Sequence, residues 1–463
     1  MKSAETLEDN LLMDKDTRIC IIGGGPAGLS AGMYLEKKGY DNYTILERND
    51  HVGGKCNSPH YNGRRYEMGA IMGVPSYYAV HDVETFCGIT HDGPQLSRRY
   101  KDAEGNVIEP FEPAKNLLKI PHLMKMKQQV TELGRILETK YKGYDVNGHR
   151  GVAQGRYEGF ACTPEREEVS GTNENLKDLS MPFKDWCEMN HVELIQDIWV
   201  GPFTSFGYGY FDEIPAAYVL KYLDFQTCMN FVRLNLWTWK NGTQYIWECL
   251  NEKLKNPARL CASISKIERK DGKVYVTVNG ETEEYDKLIV TAPLQFFPNY
   301  ADAREDEKKY FSKIEYERYD VLAVETRPED HPDISYYVFD NMTPERLGHL
   351  MVYYRRWRDT KDQVITTYAL RKHKNREEIT VDACRQMVLE DLRIMRNPAS
   401  NVINEQSWYY FPPVFSEDYA AGWYDDVEAM QGKYDTYYAG EIMSFGDMDE
   451  TAEYSRELVE RFF

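Results

Sequence analysis

Three glycines and one carboxylate near the start of the chain have the spacing of a dinucleotide site. Gly23, Gly25 and Gly28 form a G-x-G-x-x-G pattern directly after the apolar run Ile19–Ile22, and Glu47 follows about twenty residues later. Gly23 permits a tight turn, Gly25 lets the backbone approach a pyrophosphate, and Gly28 lets the next helix pack closely. A carboxylate at this distance accepts hydrogen bonds from a ribose diol. The pattern therefore predicts binding of a dinucleotide.

The elements around this motif must form a strand, a helix and a second strand. Ile19–Ile22 predicts a strand buried on both faces. A helix is expected to open at Pro26 and Ala27 and to end near Gly39, with its first N–H groups turned to the phosphates. Tyr43–Leu46 predicts the strand that delivers Glu47.

Two later loops extend the candidate site. Arg48 is followed by the loop containing Gly53, Gly54 and Lys55, and a further glycine-containing turn ends at Gly69 and Ala70. Either segment alone is typical of an ordinary loop. Placed after a dinucleotide motif, they indicate a long ligand that lies across several loops.

Composition excludes several classes of protein. The chain has 463 residues and a net charge of −19, which argues against nucleic acid and against electrostatic binding to anionic membranes. No apolar stretch is long enough to span a bilayer, and the polar start of the chain is unlike a signal peptide. The nine cysteines show no C-x-x-C and the ten histidines no metal spacing, so we expect reduced thiols, a cytoplasmic location and no metal.

The aromatic content is high, with 35 Tyr, 18 Phe and 8 Trp. It is compatible with an aromatic core and equally with a flat-walled apolar tunnel, and composition does not separate the two. Phe203, Phe206, Tyr208, Trp408, Tyr409 and Tyr410 are candidates to line such a tunnel.

The remaining pattern predicts an α/β chain with inserted parts. We expect two helices over 112–142 broken at Pro121, an exposed loop over 143–180, and buried helices over 182–240. A hairpin at Ile264–Val278, a buried strand at Lys287–Val290, an antiparallel sheet from Asp320 to Arg371, a helix over 380–396, and a last strand and helix over 436–463 follow. A cofactor domain closed by the last strand and helix is discontinuous.

At this point the runs GGGPAGL, LERNDHVGGK, KLIVTAP and YYAGE resemble the FAD-dependent amine-oxidase superfamily. The resemblance implies a Rossmann-like FAD-binding domain over 15–100, 234–296 and 425–463. It also implies a mainly helical cap over 101–233, with a long loop near 143–180, and an antiparallel-sheet substrate domain over 297–424. It further implies that the backbone of Ile264 contacts adenine and that Gly440 and Glu441 hold the ribityl and phosphate of the flavin, besides the loops above. Met448 is a candidate to present a backbone N–H to the flavin.

Longer runs, among them GRRYEMGAIMGVPSY, PAAYVLKYLDF and YYAGEIMSFG, are similar to the polyunsaturated fatty acid double-bond isomerases of this superfamily. The resemblance implies FAD, a free fatty acid such as linoleate, and hydride transfer from the bis-allylic carbon to the flavin and back to an end carbon. It assigns the carboxylate anchor and gate to Arg98 and Phe231. Arg98 is otherwise a plain surface arginine, and Arg99 replaces it if the register differs by one. The loop around 150–175 is longer than in the family.

Two other functions stay open at this stage. The first is an oxidase or desaturase of the same fold, whose reduced flavin passes electrons to oxygen or a quinone. The second is a lipid-binding flavoprotein without catalytic activity. The sequence leaves product regiochemistry, preferred fatty acid and oligomeric state open.

Overall fold

The structure is a computed structural model that describes residues 13–111, 120–141, 176–222, 225–326, 334–357 and 364–463. The strands are β1 (Ile19–Ile22), β2 (Tyr43–Leu46), β3 (His60–Tyr61), β4 (Arg64–Arg65), β5 (Arg98–Lys101), β6 (Val107–Ile108), β7 (Ile264–Lys270), β8 (Lys273–Val278), β9 (Glu281–Tyr285), β10 (Lys287–Val290), β11 (Arg318–Thr326), β12 (Ser335–Val338), β13 (Val352–Tyr354), β14 (Val364–Leu370), β15 (Ala399–Tyr409) and β16 (Thr436–Tyr438).

The α-helices are α1 (Pro26–Lys37), α2 (Tyr78–Cys87), α3 (Ile120–Thr139), α4 (Leu176–Leu179), α5 (Phe183–Met189), α6 (Ile195–Trp199), α7 (Ala216–Tyr222), α8 (Phe225–Val232), α9 (Gly242–Lys253), α10 (Glu305–Phe311), α11 (Val381–Ile394), α12 (Ser416–Ala420), α13 (Trp423–Glu428) and α14 (Met448–Phe462). Short 3₁₀ turns lie at Thr204–Phe206, Leu294–Asn299, Phe339–Asn341, Pro344–Arg346, Lys433–Asp435 and Glu441–Met443.

A four-stranded parallel sheet in the order β16-β10-β1-β2 positions the predicted cofactor site. Its strands are apolar and almost wholly buried, as expected for a parallel sheet covered on both faces. Helix α1 packs on this sheet and against α14. Segments from distant parts of the chain therefore form one helical layer on the sheet. The predicted βαβ unit and the last strand and helix are confirmed.

A seven-stranded sheet in the order β15-β11-β14-β13-β12-β5-β6 forms the second half. Its pairs are antiparallel except β12 with β5, which run parallel. The predicted antiparallel runs are confirmed. The sheet also recruits β5 and β6, which lie outside the predicted range 297–424, and β15, which the sequence analysis did not predict. The division into domains stays a prediction.

Two clusters of buried side chains occupy the two faces of this sheet. One face packs on α11, where Tyr336, Tyr353 and Leu392 belong to the smaller cluster. The other face joins Tyr337 and Tyr319 to the large cluster that runs through the short helices of the cap. Thr380 starts α11 as predicted, because its hydroxyl accepts a hydrogen bond from the Ala383 N–H.

Some predictions lie partly or wholly outside the described residues. Helix α3 is described from Ile120, with Pro121 in its first turn, where proline is tolerated. The helix predicted before it falls on 112–119 and is not described. Most of the predicted loop over 143–180 falls on 142–175 and is likewise not described.

His373, which follows β14, pairs with two acids of the cap. His373 Nε2 lies 3.2 Å from both carboxylate oxygens of Asp212 and 3.6 Å from Glu213 Oε2. Burial lowers the pKa of His373, but the Asp212 hydrogen bond and the charges of Glu213 and Asp212 raise it more, so the net shift is upward.

This pair predicts a pH-dependent stability. A histidine whose pKa is raised by folding stabilises the fold fully below the pKa of its unfolded form, about 6.5, and loses that contribution as the pH rises through the folded pKa. We expect His373→Gln to remove about 1 kcal/mol of unfolding free energy at low pH and to flatten its fall above about pH 6.5. Urea unfolding across pH measures this, with His60→Gln as the exposed control. Parallel pH profiles for wild type and His373→Gln contradict it.

Candidate active site

The turn between β1 and α1 has the geometry that the glycine spacing predicts. Gly23 has a φ of +110° and donates its N–H to the Leu46 carbonyl at 2.9 Å. A Cβ at Gly28 would lie 1.9 Å from the Gly23 carbonyl oxygen, so only glycine lets α1 pack this closely. Helix α1 begins at Pro26, followed by buried Ala27, and the first N–H groups of a helix attract anions.

Glu47 is buried at the carboxyl end of β2 and faces this turn. Its Oε2 accepts a hydrogen bond from the Gly24 N–H and its Oε1 one from the Asn49 N–H, both at 2.8 Å. These contacts fix the carboxylate and leave further lone pairs on both oxygens for ribose hydroxyls. Arg48 is exposed next to it.

Ile264 opens β7 close to Glu47. The Ala262 N–H donates to the Glu47 carbonyl at 2.8 Å, two residues before this strand begins. The strand predicted to contact adenine therefore begins next to Glu47, the residue whose carboxylate is predicted to bind the ribose.

The second glycine loop meets the first. The Gly53 N–H donates to the Gly24 carbonyl at 2.9 Å. A Cβ at Gly25 would lie 3.6 Å from the Gly54 Cα, and Gly54 itself has a φ of +56°. Backbone therefore faces backbone, and this leaves an approach for phosphates without side chains in the way.

The third loop is attached to the second. The Ala70 N–H donates to the Lys55 carbonyl at 3.0 Å, and a Cβ at Gly69 would lie 1.9 Å from that same oxygen. The structure thus brings together the three loops that the sequence singled out.

Lys55 connects these loops to the segment that follows β16 and contains Gly440 and Glu441. Its Nζ lies 2.5 Å from Glu441 Oε2 and 3.1 Å from the Tyr410 carbonyl. Burial lowers the pKa of Lys55 and raises that of Glu441, while the charge of each partner opposes these shifts. Gly440 has a φ of +94°, and a Cβ there would lie 2.8 Å from the Thr291 carbonyl oxygen.

Met448 is the first residue of α14 and is buried. Its Sδ lies 4.0 Å from Cys56 Sγ, directly after the second glycine loop. Asp447 caps the helix and accepts a hydrogen bond from the Glu450 N–H at 2.8 Å. The helix N-terminus predicted to face the flavin is therefore next to the glycine loops.

A line of packed rings, which we call the aromatic wall, reaches the cofactor loops. Its members are Tyr337, Phe206, Phe231, Tyr222, Phe445, Tyr208 and Tyr410. Neighbouring ring centres lie 4.7–6.3 Å apart. At one end Lys55 Nζ sits 5.2 Å from the Tyr410 ring centre. At the other end Tyr337 packs on Tyr100 at 5.8 Å.

Arg98 stands at that far end of the aromatic wall. Its guanidinium carbon lies 5.3 Å from the Tyr100 ring centre, and its charge counteracts the raised pKa that burial gives Tyr337. Among the described residues Arg98 forms no ion pair, so its charge is available to an anion. Phe231 is buried inside the wall, between Phe206 and Tyr222.

The sheet separates Arg98 from Arg99. Neighbouring residues of a strand point to opposite faces, so Arg98 shares its face with Tyr100, whose register partner is Tyr337. Arg99 aligns with Tyr336, which lies in the cluster under α11. Only the face of Arg98 leads to the aromatic wall.

Phenols from three parts of the chain meet where the wall reaches α14. Tyr77 comes from the segment before α2, Tyr208 and Tyr222 come from the cap, and Tyr410 follows β15. Burial raises the pKa of all four, and the nearby Asp447 carboxylate adds to each shift. This end of the wall is therefore a buried aromatic cluster with phenol hydroxyls. Sequence reasoning missed Tyr77, Tyr222, Tyr337, Phe445 and Asp447, for which the high aromatic content was the only signal.

The other aromatic candidates have different roles. Phe203 packs inside the cap against Tyr208. Trp408 donates its indole N–H to the Met68 carbonyl at 2.7 Å, beside the third loop. Tyr409 is 45 % exposed and packs on Phe296. Its candidacy as a lining residue was wrong, because successive residues of β15 alternate between faces.

Asp449, Glu450 and Glu453 form a buried group of carboxylates near the start of α14. Lys221 Nζ lies 2.9 Å from Glu450 Oε2, and this ammonium supplies a positive charge to the cluster. In the part of the chain that the structure describes, none of the helices is both long and apolar enough to cross a bilayer.

The family comparison matches residues 26–441 to the flavin containing amine oxidoreductases, so the chain belongs to that family. Among solved structures it is similar to the CLA-producing fatty acid isomerase from P. acnes. The two are 49% identical with a TM-score of 0.88, and the match covers 97% of this chain and 100% of the other. The family resemblance found in the sequence and the predicted fold class are confirmed.

Two curated relatives match shorter regions. The polyenoic fatty acid isomerase of Ptilota filicina is 25% identical over 214 residues, which are 45% of this chain and 41% of that protein. The carotenoid 3,4-desaturase of Haloarcula japonica is 24% identical over 295 residues, which are 59% of this chain and 55% of that protein. The matched region thus spans about half the length of these relatives.

The cofactor of this family member is FAD, as the sequence predicted. The glycine loops fit FAD for two reasons. They expose helix N–H groups, and they leave beside Gly25 a space that a Cβ at this residue would enter. Glu47, with its fixed carboxylate, fits the adenosine ribose. The roles of the individual residues remain predictions.

Two glycine variants separate binding from folding. In Gly25→Ala the new Cβ meets only ordinary contact with Gly54, and the φ of Gly25 is −85°, so the FAD-free fold should keep its stability. We expect FAD affinity to fall about tenfold or more, because the methyl group occupies the pyrophosphate approach. Gly28→Ala should instead destabilise the apoprotein by about 2 kcal/mol. Fluorescence titration of apoprotein with FAD and urea unfolding measure the two effects; unchanged FAD affinity in Gly25→Ala contradicts the assignment.

Proposed function

We propose that the protein is an FAD-dependent isomerase that moves a double bond of a free polyunsaturated fatty acid, such as linoleate, to give a conjugated fatty acid. The observation that carries the proposal is the aromatic wall, which connects an unpaired arginine to the cofactor loops. The full-length similarity to a CLA-producing fatty acid isomerase supports the same substrate class.

Arg98 is the proposed anchor of the substrate carboxylate. Its guanidinium is half-buried, lies beside aromatic rings and forms no ion pair with other described residues. Carboxylates bind arginine by strong charge-assisted hydrogen bonds. An acid held here would extend its apolar chain along the wall, past Phe231, toward the cofactor loops at Lys55.

The proposed chemistry needs no protein acid or base. When bound, FAD supplies reversible hydride acceptance, so a hydride can leave the bis-allylic carbon and return to an end carbon of the pentadienyl system. The wall then has two tasks. It excludes water from a substrate cation, and its ring faces stabilise that positive charge. The position of the chain along the wall decides which carbon receives the hydride.

An oxidase or desaturase of the same fold is the second candidate. The match to a carotenoid 3,4-desaturase favours it, since that protein is named as a desaturase and not as an isomerase. In that case the electrons leave the site and turnover requires an external acceptor. The two candidates therefore differ in net redox change.

The setting of the reaction is part of the proposal. The cysteines of the described residues are free thiols, which fits a reducing compartment such as the cytoplasm. The partner is a small molecule, with no nucleic acid and no stable insertion into a membrane.

Anaerobic turnover tests the proposed function. The holoprotein is mixed with linoleate without oxygen, and the ultraviolet band of a conjugated diene and the visible flavin band are followed together. We expect many turnovers of diene per flavin, with the flavin oxidised at the end. Bleached flavin with no diene points to the oxidase or desaturase, and neither signal rejects both.

A matched pair of arginine variants tests the anchor. Arg98→Ala should lower kcat/KM for linoleate roughly thirtyfold, about 2 kcal/mol, mainly through KM, because a charge-assisted hydrogen bond is lost. Arg99→Ala is the control and should change kcat/KM little, since its side chain is on the opposite face. Methyl linoleate lacks the carboxylate charge, so its kcat/KM should be the same for wild type and for Arg98→Ala. Equal losses in the two variants contradict the assignment.

A further inference from the structure

Exposed apolar side chains lie on the cap next to the helix that carries Phe231. Ile120 is 37 % exposed and Met124 is 60 % exposed, although both are large and apolar. They are four residues apart on α3 and therefore lie on the same face of that helix. Helix α3 packs against α8 and α6 with its opposite side, where Met126 and Leu133 are buried.

Helix α8 adds a third such residue at its end. Val232 is 47 % exposed and directly follows Phe231, a member of the aromatic wall. We call the exposed apolar side chains of Ile120, Met124 and Val232, which lie on two helices in contact with each other, the cap face.

The cap face also differs in charge from the rest of the chain. From Ile120 to Val130 the sequence holds Lys125 and Lys127 and no acidic residue, in a protein with a net charge of −19. Arg233 is exposed beside Val232. Within the described part of the chain, none of these three cations forms an ion pair.

Nearby acids reduce this positive charge only in part. Glu193 lies close enough to Lys125 to interact with its charge, and Asp197 does the same with His122. Both acids belong to the neighbouring α6 region. Lys127 projects from the same face of α3 as Ile120 and Met124, because it lies seven and three residues from them.

We propose that the cap face docks on a phospholipid membrane surface, with Ile120, Met124 and Val232 in the interface and Lys127 and Arg233 at the level of the headgroups. Exposed apolar side chains bordered by cations suit an anionic lipid surface, where the residues bury apolar area and the cations meet phosphate. The net negative charge of the protein makes this contact local and reversible.

Docking on a membrane would bring the enzyme to its substrate, and this part of the inference rests on the proposed function. A long-chain fatty acid partitions into bilayers, so an enzyme that draws it from water meets little free substrate. Entry of the substrate beside the cap face would let its apolar chain move toward Phe231 with little exposure to water. No spanning segment is required for this contact.

Vesicle binding of the holoprotein tests the proposal. Phosphatidylcholine vesicles with about 30% phosphatidylglycerol, whose anionic surface attracts basic groups, are compared with pure phosphatidylcholine vesicles by flotation. We expect the combined variant Ile120→Ser, Met124→Ser and Val232→Ser to bind at least about tenfold more weakly than wild type. The matched control, Leu260→Ser with Ile394→Ser, alters side chains that are 41 % and 43 % exposed elsewhere and should bind like wild type. Lys127→Glu with Arg233→Glu should abolish the preference for anionic vesicles.

Further readouts separate the outcomes. Flavin content and melting temperature should be the same in all variants, and detergent-dispersed linoleate should be turned over at wild-type rates. Linoleate carried in vesicles should be converted several-fold more slowly by the triple variant. Wild type that does not bind vesicles, or a triple variant that binds as well as wild type, overturns the proposal. Vesicle binding without any diene formation would instead reject the proposed function and leave the docking surface standing.

Discussion

The close approach of two glycine loops is the constraint on which the rest of the structure depends. Gly25 and Gly54 face each other backbone to backbone, and a Cβ at Gly54 would lie 3.2 Å from the Gly25 Cα on a backbone whose φ is +56°. One loop continues into α1 and the other into Lys55, which reaches Glu441 on the far side of the parallel sheet. The predicted FAD site, the end of the parallel sheet near Glu441 and the Tyr410 end of the aromatic wall therefore all depend on the approach of these two loops.

Local patterns made the elements around the glycine motif predictable from the sequence. Strand β1, its glycine turn and Glu47 are close together in the chain, and each follows a rule of backbone geometry or periodicity. The same holds for the hairpin of β7 and β8 and for the capped helix α11. Strand β15 was missed because its residues are mostly half-exposed and polar, so it lacks the apolar alternation that marks a strand.

Long-range pairing explains what the sequence did not resolve. Strand β5 joins the sheet by parallel pairing with β12, although the two are far apart in the chain. Without that pairing the faces of Arg98 and Arg99 cannot be distinguished, and the choice between them stayed open. The convergence of Tyr77, Tyr222 and Asp447 is likewise a product of tertiary packing, since these residues come from different elements and share no motif.

The strands of the parallel sheet leave the ribosome far apart in time, because they are far apart in the chain. Strand β16 and helix α14 complete the layer begun by β1 and α1, and the cap and the seven-stranded sheet are encoded between them. The parallel sheet lacks this edge strand until translation has passed residue 438. Strands β1 and β10 are therefore made long before β16, and the loops around the predicted FAD site cannot all be in place until β16 has joined the sheet.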